Sequence, residues 1–148
     1  MSAVTLEIVG VYFRKDVELP KKGGKSYTVK EILDLAIDQY GNATTPGGID
    51  YMTDGGSNPM SIIRHFFGGG TSRGDKQRMA GIYELREDRS RDPLIQAWQY
   101  YVLDDNNERR SATYPGEGFE SFENAKFDFA DGWKLIWRLV TVLREPNV

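Results

Sequence analysis

Thr28-Val29-Lys30-Glu31 restricts the fold of this chain more than any other segment. A threonine followed three residues later by a glutamate is a capping box. The hydroxyl accepts from the Glu31 amide, and the Glu31 carboxylate reaches back to the amide of Thr28. Behind it Val29, Ile32, Leu33, Ala36, Ile37 and Tyr40 recur at helical spacing, and Gly41 supplies the left-handed stop. The pattern predicts a helix over 29–40 with one apolar face. Such a face must be covered, so the rest of the chain has to provide a sheet or another helix.

Most of the remainder reads as β. Residues 3–13 are β-branched and aromatic and predict a strand, and Asp16-Val17-Glu18-Leu19 can pair with it as a short second strand. The order strand, short strand, capped helix resembles the start of β-grasp (ubiquitin-like) domains. The resemblance is one of topology and implies no particular activity.

Residues 41–58 read as a long loop with a short extended piece at Ile49–Met52. Asn58-Pro59 looks like an N-cap with proline at the first helical position, and Ile62, Ile63, Phe66 and Phe67 form one apolar face. These predict a second, short helix over 59–67 in preference to a strand. A glycine-rich stretch, 68–75, follows. Met79–Glu87, Leu94–Leu103 and Glu108–Tyr114 read as strands, with Asp104-Asp105-Asn106-Asn107 as a hairpin turn. Phe119–Phe129 holds at most one helical turn. Trp133–Arg144 alternates Trp133, Leu135, Trp137, Leu139 and Leu143 on one face, and its β-branched content predicts a strand. The expected fold is α+β, a mainly antiparallel sheet with one well-defined helix, in a single domain spanning 1–148.

Composition removes several chemistries. The chain has no cysteine, hence no thiolate nucleophile, disulfide or cysteine zinc site. It has one histidine, so a multi-histidine metal site cannot form within one chain. A net charge of −3 does not favour duplex nucleic acid. No apolar run is long enough for a membrane span, and a reducing cytoplasm suits the cysteine-free composition.

Charge is unevenly spread. Arg64, Arg73, Lys76, Arg78, Arg86, Arg89 and Arg91 make 64–91 basic, whereas acids dominate 104–131. The ordinary reading is two solvated faces; the sharper one is a basic and an acidic site that meet within one chain or between two.

Gly69-x-x-x-x-Gly74-Asp75-Lys76 approaches a P-loop but fails at two positions. Asp75 displaces the lysine and Gln77 replaces the Ser/Thr that would hold magnesium. On the helix reading of 59–67 the loop would also follow a helix C-terminus, the wrong end for phosphate. A looser anion site over Arg64, Arg73, Lys76 and Arg78 survives these objections. His65 lacks a nucleophile-elbow motif and reads as structural. Asp104, Asp105 and Glu108 read as solvated turn residues. Glu117, Glu120, Glu123, Asp128 and Asp131 interleave with phenylalanines, which would raise a carboxyl pKa only if acids and rings were buried together.

The aromatics of 94–103 carry the functional reading. Trp98 and Tyr100 share one face of that strand and Tyr101 the other. Core packing explains them by default. Exposed rings beside arginine would hold a nucleotide, base on ring and phosphate on guanidinium. The expected function is therefore binding of a small anionic ligand or a protein partner, without cofactor or metal. Arg64, Arg73, Lys76, Arg78, Arg89, Trp98, Tyr100 and Tyr101 are the candidate contacts. A homo-oligomeric assembly protein and a small carboxylate enzyme are the alternatives.

Overall fold

The computed structural model describes residues 2–9, 13–20, 26–42, 45, 47–53, 63–68, 94–112 and 118–143. Nine elements appear in chain order: β1 (Ala3–Ile8), β2 (Phe13–Glu18), β3 (Tyr27–Thr28), α1 (Val29–Tyr40), β4 (Ile49–Thr53), β5 (Ile63–Gly68), β6 (Leu94–Leu103), β7 (Lys126–Phe127) and β8 (Lys134–Leu143). The fold is α+β with an antiparallel-dominated sheet and one helix.

A four-stranded sheet runs β2-β1-β8-β6. Neighbours are antiparallel except β1 and β8, which lie parallel with Leu6 opposite Leu135 and Ile8 opposite Trp137. Period-2 alternation sends Val4, Leu6, Ile8, Trp98, Tyr100, Val102, Leu135 and Trp137 into the core, all at most 4% exposed. The apolar stripe of α1, Val29, Ile32, Leu33 and Ala36, is fully buried with them.

The helix is bounded as its sequence requires. Thr28 Oγ1 accepts from the Glu31 amide (3.0 Å) and Glu31 Oε1 accepts from the Thr28 amide (2.8 Å). The next free amides, Val29 and Lys30, donate to the carbonyls of Ala125 and Phe122, both at 3.0 Å. These bonds dock the 121–125 turn onto the helix and leave no open amide cradle there. At the other end Gly41 adopts φ 87°, and a Cβ there would come within 2.8 Å of the Thr45 side chain.

Three sequence readings need correction. The 3–13 run is not one strand: β1 ends at Ile8 and β2 begins at Phe13 and pairs back on it, Val4 opposite Val17. The predicted helix over 59–67 is a strand where described. β5 pairs antiparallel with β4, placing Phe66 opposite Tyr51 and His65 opposite Met52. A short apolar segment fits both periods, and the partner strand decides. Because the glycine run thus follows a strand, the helix-dipole objection to a phosphate loop no longer applies; the mismatches at Asp75 and Gln77 remain. Finally, the predicted strand over 108–114 contributes one bridge, Arg109 with Leu103. The Met79–Glu87 strand lies outside the described residues.

Candidate functional site

The outer face of the four-stranded sheet carries a half-buried aromatic, the one that the sequence placed opposite Trp98 and Tyr100. Tyr101 stands on β6 opposite Ile136 of β8, and Ile136 in turn stands opposite Glu7 of β1. The Asp104–Asn107 turn reverses the chain, with Asn107 at φ 61°, and returns Arg109 beside Leu103. Arg109 lays its guanidinium over the Tyr101 ring, 5.4 Å from the centroid. Its Nε donates to the Ser111 carbonyl (3.0 Å) and its Nη2 to the Ala112 carbonyl (3.3 Å), which fix the plane over the ring. Two residues along β8 from Ile136, exposed Arg138 lies opposite Gln99 on the same face.

The neighbouring cations are already engaged. Arg110 pairs with Asp104 (2.7 Å) and sits 5.9 Å from the Trp133 ring centroid. Lys134 donates to Asn107 Oδ1 (2.5 Å). Among the described residues beside Tyr101, Arg109 and Arg138 are therefore the cations left to an anion.

Asp104 departs from the solvated role expected of it. It is 1% exposed, and Oδ1 accepts from the amides of Asn106 (2.8 Å) and Glu108 (2.9 Å). The carboxylate organises the turn that delivers Arg109, so its part is positional.

Trp98 and Tyr100 are core residues, 3% and 4% exposed. Trp98 meets Phe66 edge-on at 5.0 Å, and the Tyr100 hydroxyl donates to the Glu120 carbonyl (2.5 Å). A planar ligand could not stack on either without opening the core. Arg64 lies on β5 at the register shift between Met52 and Thr53 of β4. Arg73, Lys76, Arg78 and Arg89 lie outside the described residues.

Acids and rings separate along 119–131. Phe122 and Phe129 are buried, whereas Glu120, Glu123, Asp128 and Asp131 are exposed. Asp128 accepts from the Ser26 hydroxyl (2.7 Å) and Asp131 from the Ala3 amide (3.0 Å). These four carboxylates therefore give the acid–base alternative no buried pair. Among the described residues no group of three or more His, Cys, Asp or Glu is placed to hold a metal ion, and no helix is long and apolar enough to cross a membrane.

A second polar cluster joins α1 to β4. Asp34 accepts from Lys30 Nζ (2.8 Å) and from the Tyr51 hydroxyl (2.9 Å). Burial, then the Asp34 bond, pushes the Tyr51 phenol well above its ordinary value. The separate bond that Lys30 donates to Asp34 raises the ammonium. Both groups stay protonated at neutral pH, so neither the phenol nor the amine is a base, and the cluster ties helix to strand.

The sequence reading did not single out Arg109. The signal was present, because a hairpin turn at 104–107 folds residue 109 back onto 103 and its neighbours. No protein-family model, curated protein or solved structure matches the chain.

Proposed function

We propose that this is a non-enzymatic binding protein for a small anionic, nucleotide-like ligand, held on the outer sheet face at Tyr101, Arg109 and Arg138. The guanidinium fixed over the Tyr101 ring is the observation that carries the reading. The guanidinium plane, backed by the ring beneath it, is the surface on which a base would stack. The N–H groups of Arg109 not given to Ser111 and Ala112, together with Arg138, would take the phosphate. The cations of 64–89 named from the sequence, Arg64, Arg73, Lys76, Arg78 and Arg89, are proposed as further anion contacts.

A protein partner is the second reading, favoured by the mixed outer face, where Arg14, Glu7, the buried Ile136 and the half-buried Tyr101 follow one another across four strands. The strand order, with the first and last strands parallel at the centre, supports a β-grasp arrangement, which many functions share. The cysteine-free composition suits the cytoplasm.

The test is a thermal-shift screen of nucleotides and phosphorylated metabolites. A ligand at a hundred times its Kd should raise Tm by roughly 5–10 °C. Tyr101→Ala and Arg109→Ala should abolish the shift, and Arg73→Ala and Arg89→Ala should weaken it if the distant cations contribute. A flat screen would overturn the small-ligand reading. A shift that survives both Tyr101→Ala and Arg109→Ala would move the site elsewhere.

A further inference from the structure

Gln39, in the last turn of α1, pairs with both polar groups of one residue of β2. The Glu18 amide donates to its Oε1 (2.8 Å), and its Nε2 donates to the Glu18 carbonyl (2.7 Å). Leu19 donates to the Ser2 carbonyl (2.9 Å), toward β1. By strand alternation, Glu18 faces away from β1, to the open edge of the sheet. A carboxamide offers the same donor and acceptor as a peptide. Gln39 thus fills the place that a neighbouring strand would take.

The next outward residue is closed as well. The Asp16 carbonyl accepts from the Tyr40 hydroxyl. Tyr40 is held there by the Phe13 ring, edge-on at 6.4 Å, and by the Lys15 ammonium, 5.4 Å from its centroid. Among the described residues β2 is an end strand of the sheet, and unprotected end strands pair with other chains.

The same strand is complementary to itself in charge. Arg14, Asp16 and Glu18 follow one another on the outer face. A second β2 laid antiparallel would set each Arg14 against an Asp16 or Glu18 of the other copy, in both directions.

We infer that Gln39 and Tyr40 form an edge guard, which keeps β2 from pairing with β2 of a second copy of this chain. The inference is independent of the ligand reading, because it uses none of the outer-face site residues Tyr101, Arg109 and Arg138.

Gln39→Ala tests it. Gln39 is exposed, and circular dichroism will verify that the fold is kept. The Glu18 amide should exchange with deuterium about tenfold faster than in the wild type. Sedimentation velocity should change from a concentration-independent monomer to reversible self-association. Gln39→Glu keeps the acceptor for the Glu18 amide and loses the donor to its carbonyl, so it should fall between the two. Arg14→Asp added to Gln39→Ala should restore the monomer by setting like charges opposite. The inference is overturned if Gln39→Ala stays monomeric at all concentrations or exchanges Glu18 at the wild-type rate. Wild-type pairing through β2, or association that Arg14→Asp leaves intact, would overturn it too.

Discussion

Asp104 and Arg110 form an ion pair in which only one partner is exposed: the carboxylate is 2% accessible and the guanidinium 51%. Oδ2 takes Nε at 2.9 Å and Nη2 at 2.7 Å, while Oδ1 serves the turn amides. The Glu108 amide, with the Arg110 guanidinium and the Asn106 amide, holds the carboxyl below its ordinary value against the opposing effect of burial. A carboxyl with a depressed folded pKa stabilises the protein above its unfolded pKa of about 3.9. That stabilisation disappears as pH falls through the folded value. Urea midpoints measured against pH should therefore decline in acid. Asp104→Asn keeps an acceptor for the amides but not the charge, so it should be less stable at pH 7 and show a shallower acid decline. An unchanged acid slope would mean that the decline originates at other carboxylates.

Two phenols should titrate late. Burial raises Tyr51 and Tyr100, with the Asp34 bond adding to the first and the charge of Glu120 to the second. Raised folded values favour the neutral phenol. Their contribution is complete below the unfolded phenol pKa of about 10 and is lost as pH rises through the folded values. Tyr51 and Tyr100 should ionise only with alkaline unfolding in a spectrophotometric titration. Tyr51→Phe and Tyr100→Phe should each remove one late group. Ionisation of Tyr51 or Tyr100 while the fold persists would contradict the raised value of that phenol.

The helix was legible because its signals are local. Thr28, Glu31 and Gly41 act within one turn of the residues they cap, and the apolar stripe follows from the helical repeat. β8 was legible from its β-branched content, which decides for a strand although a helix would also bring Trp133, Ile136, Trp137 and Val140 together. β5 was not, since Ile63, Phe66 and Phe67 suit both periods and Tyr51, fifteen residues upstream of Phe66, settles the matter. The site divided in the same way. Strand parity assigned Tyr101 and Trp98 to opposite faces. Which face is covered depends on where α1 and β5 pack, and no local pattern records that. Asp104 was recognisable as a turn residue, but its burial arises from the return of Arg110.

Thr28→Ala should cost about 1 kcal/mol, within the roughly 0.5–2 kcal/mol usual for a lost N-cap. The hydroxyl accepts from the Glu31 amide and is lost with the substitution, whereas the reciprocal bond, from the Thr28 backbone amide to Glu31 Oε1, is kept. Thr28→Ser restores the oxygen and should recover most of the loss. Chemical denaturation of the three proteins reads this directly. Equal losses in the serine and alanine variants would assign the effect to the methyl group, which is buried where β3 meets β7.

Phe66 and Trp137 face each other in the core, with ring centroids 5.2 Å apart, and they should respond unequally to truncation. Phe66 is fully buried and also touches Trp98 at 5.0 Å and Tyr51 at 6.3 Å. Phe66→Ala removes contacts from all three neighbours, and a cost of about 3–5 kcal/mol is expected. Trp137 differs because its buried Nε1 has no hydrogen-bond partner. The rings of Phe66, Tyr100 and Phe122, at 5.2, 5.5 and 5.8 Å, offer the N–H only weak acceptors. Leaving a buried donor unpaired costs about 1–3 kcal/mol, and Trp137→Phe removes that cost while opening a small cavity. The two effects oppose, so Trp137→Phe should lose less than half of what Phe66→Ala loses in urea denaturation. A Trp137→Phe loss as large as that of Phe66→Ala would show that the indole nitrogen has an acceptor in solution, such as a buried water.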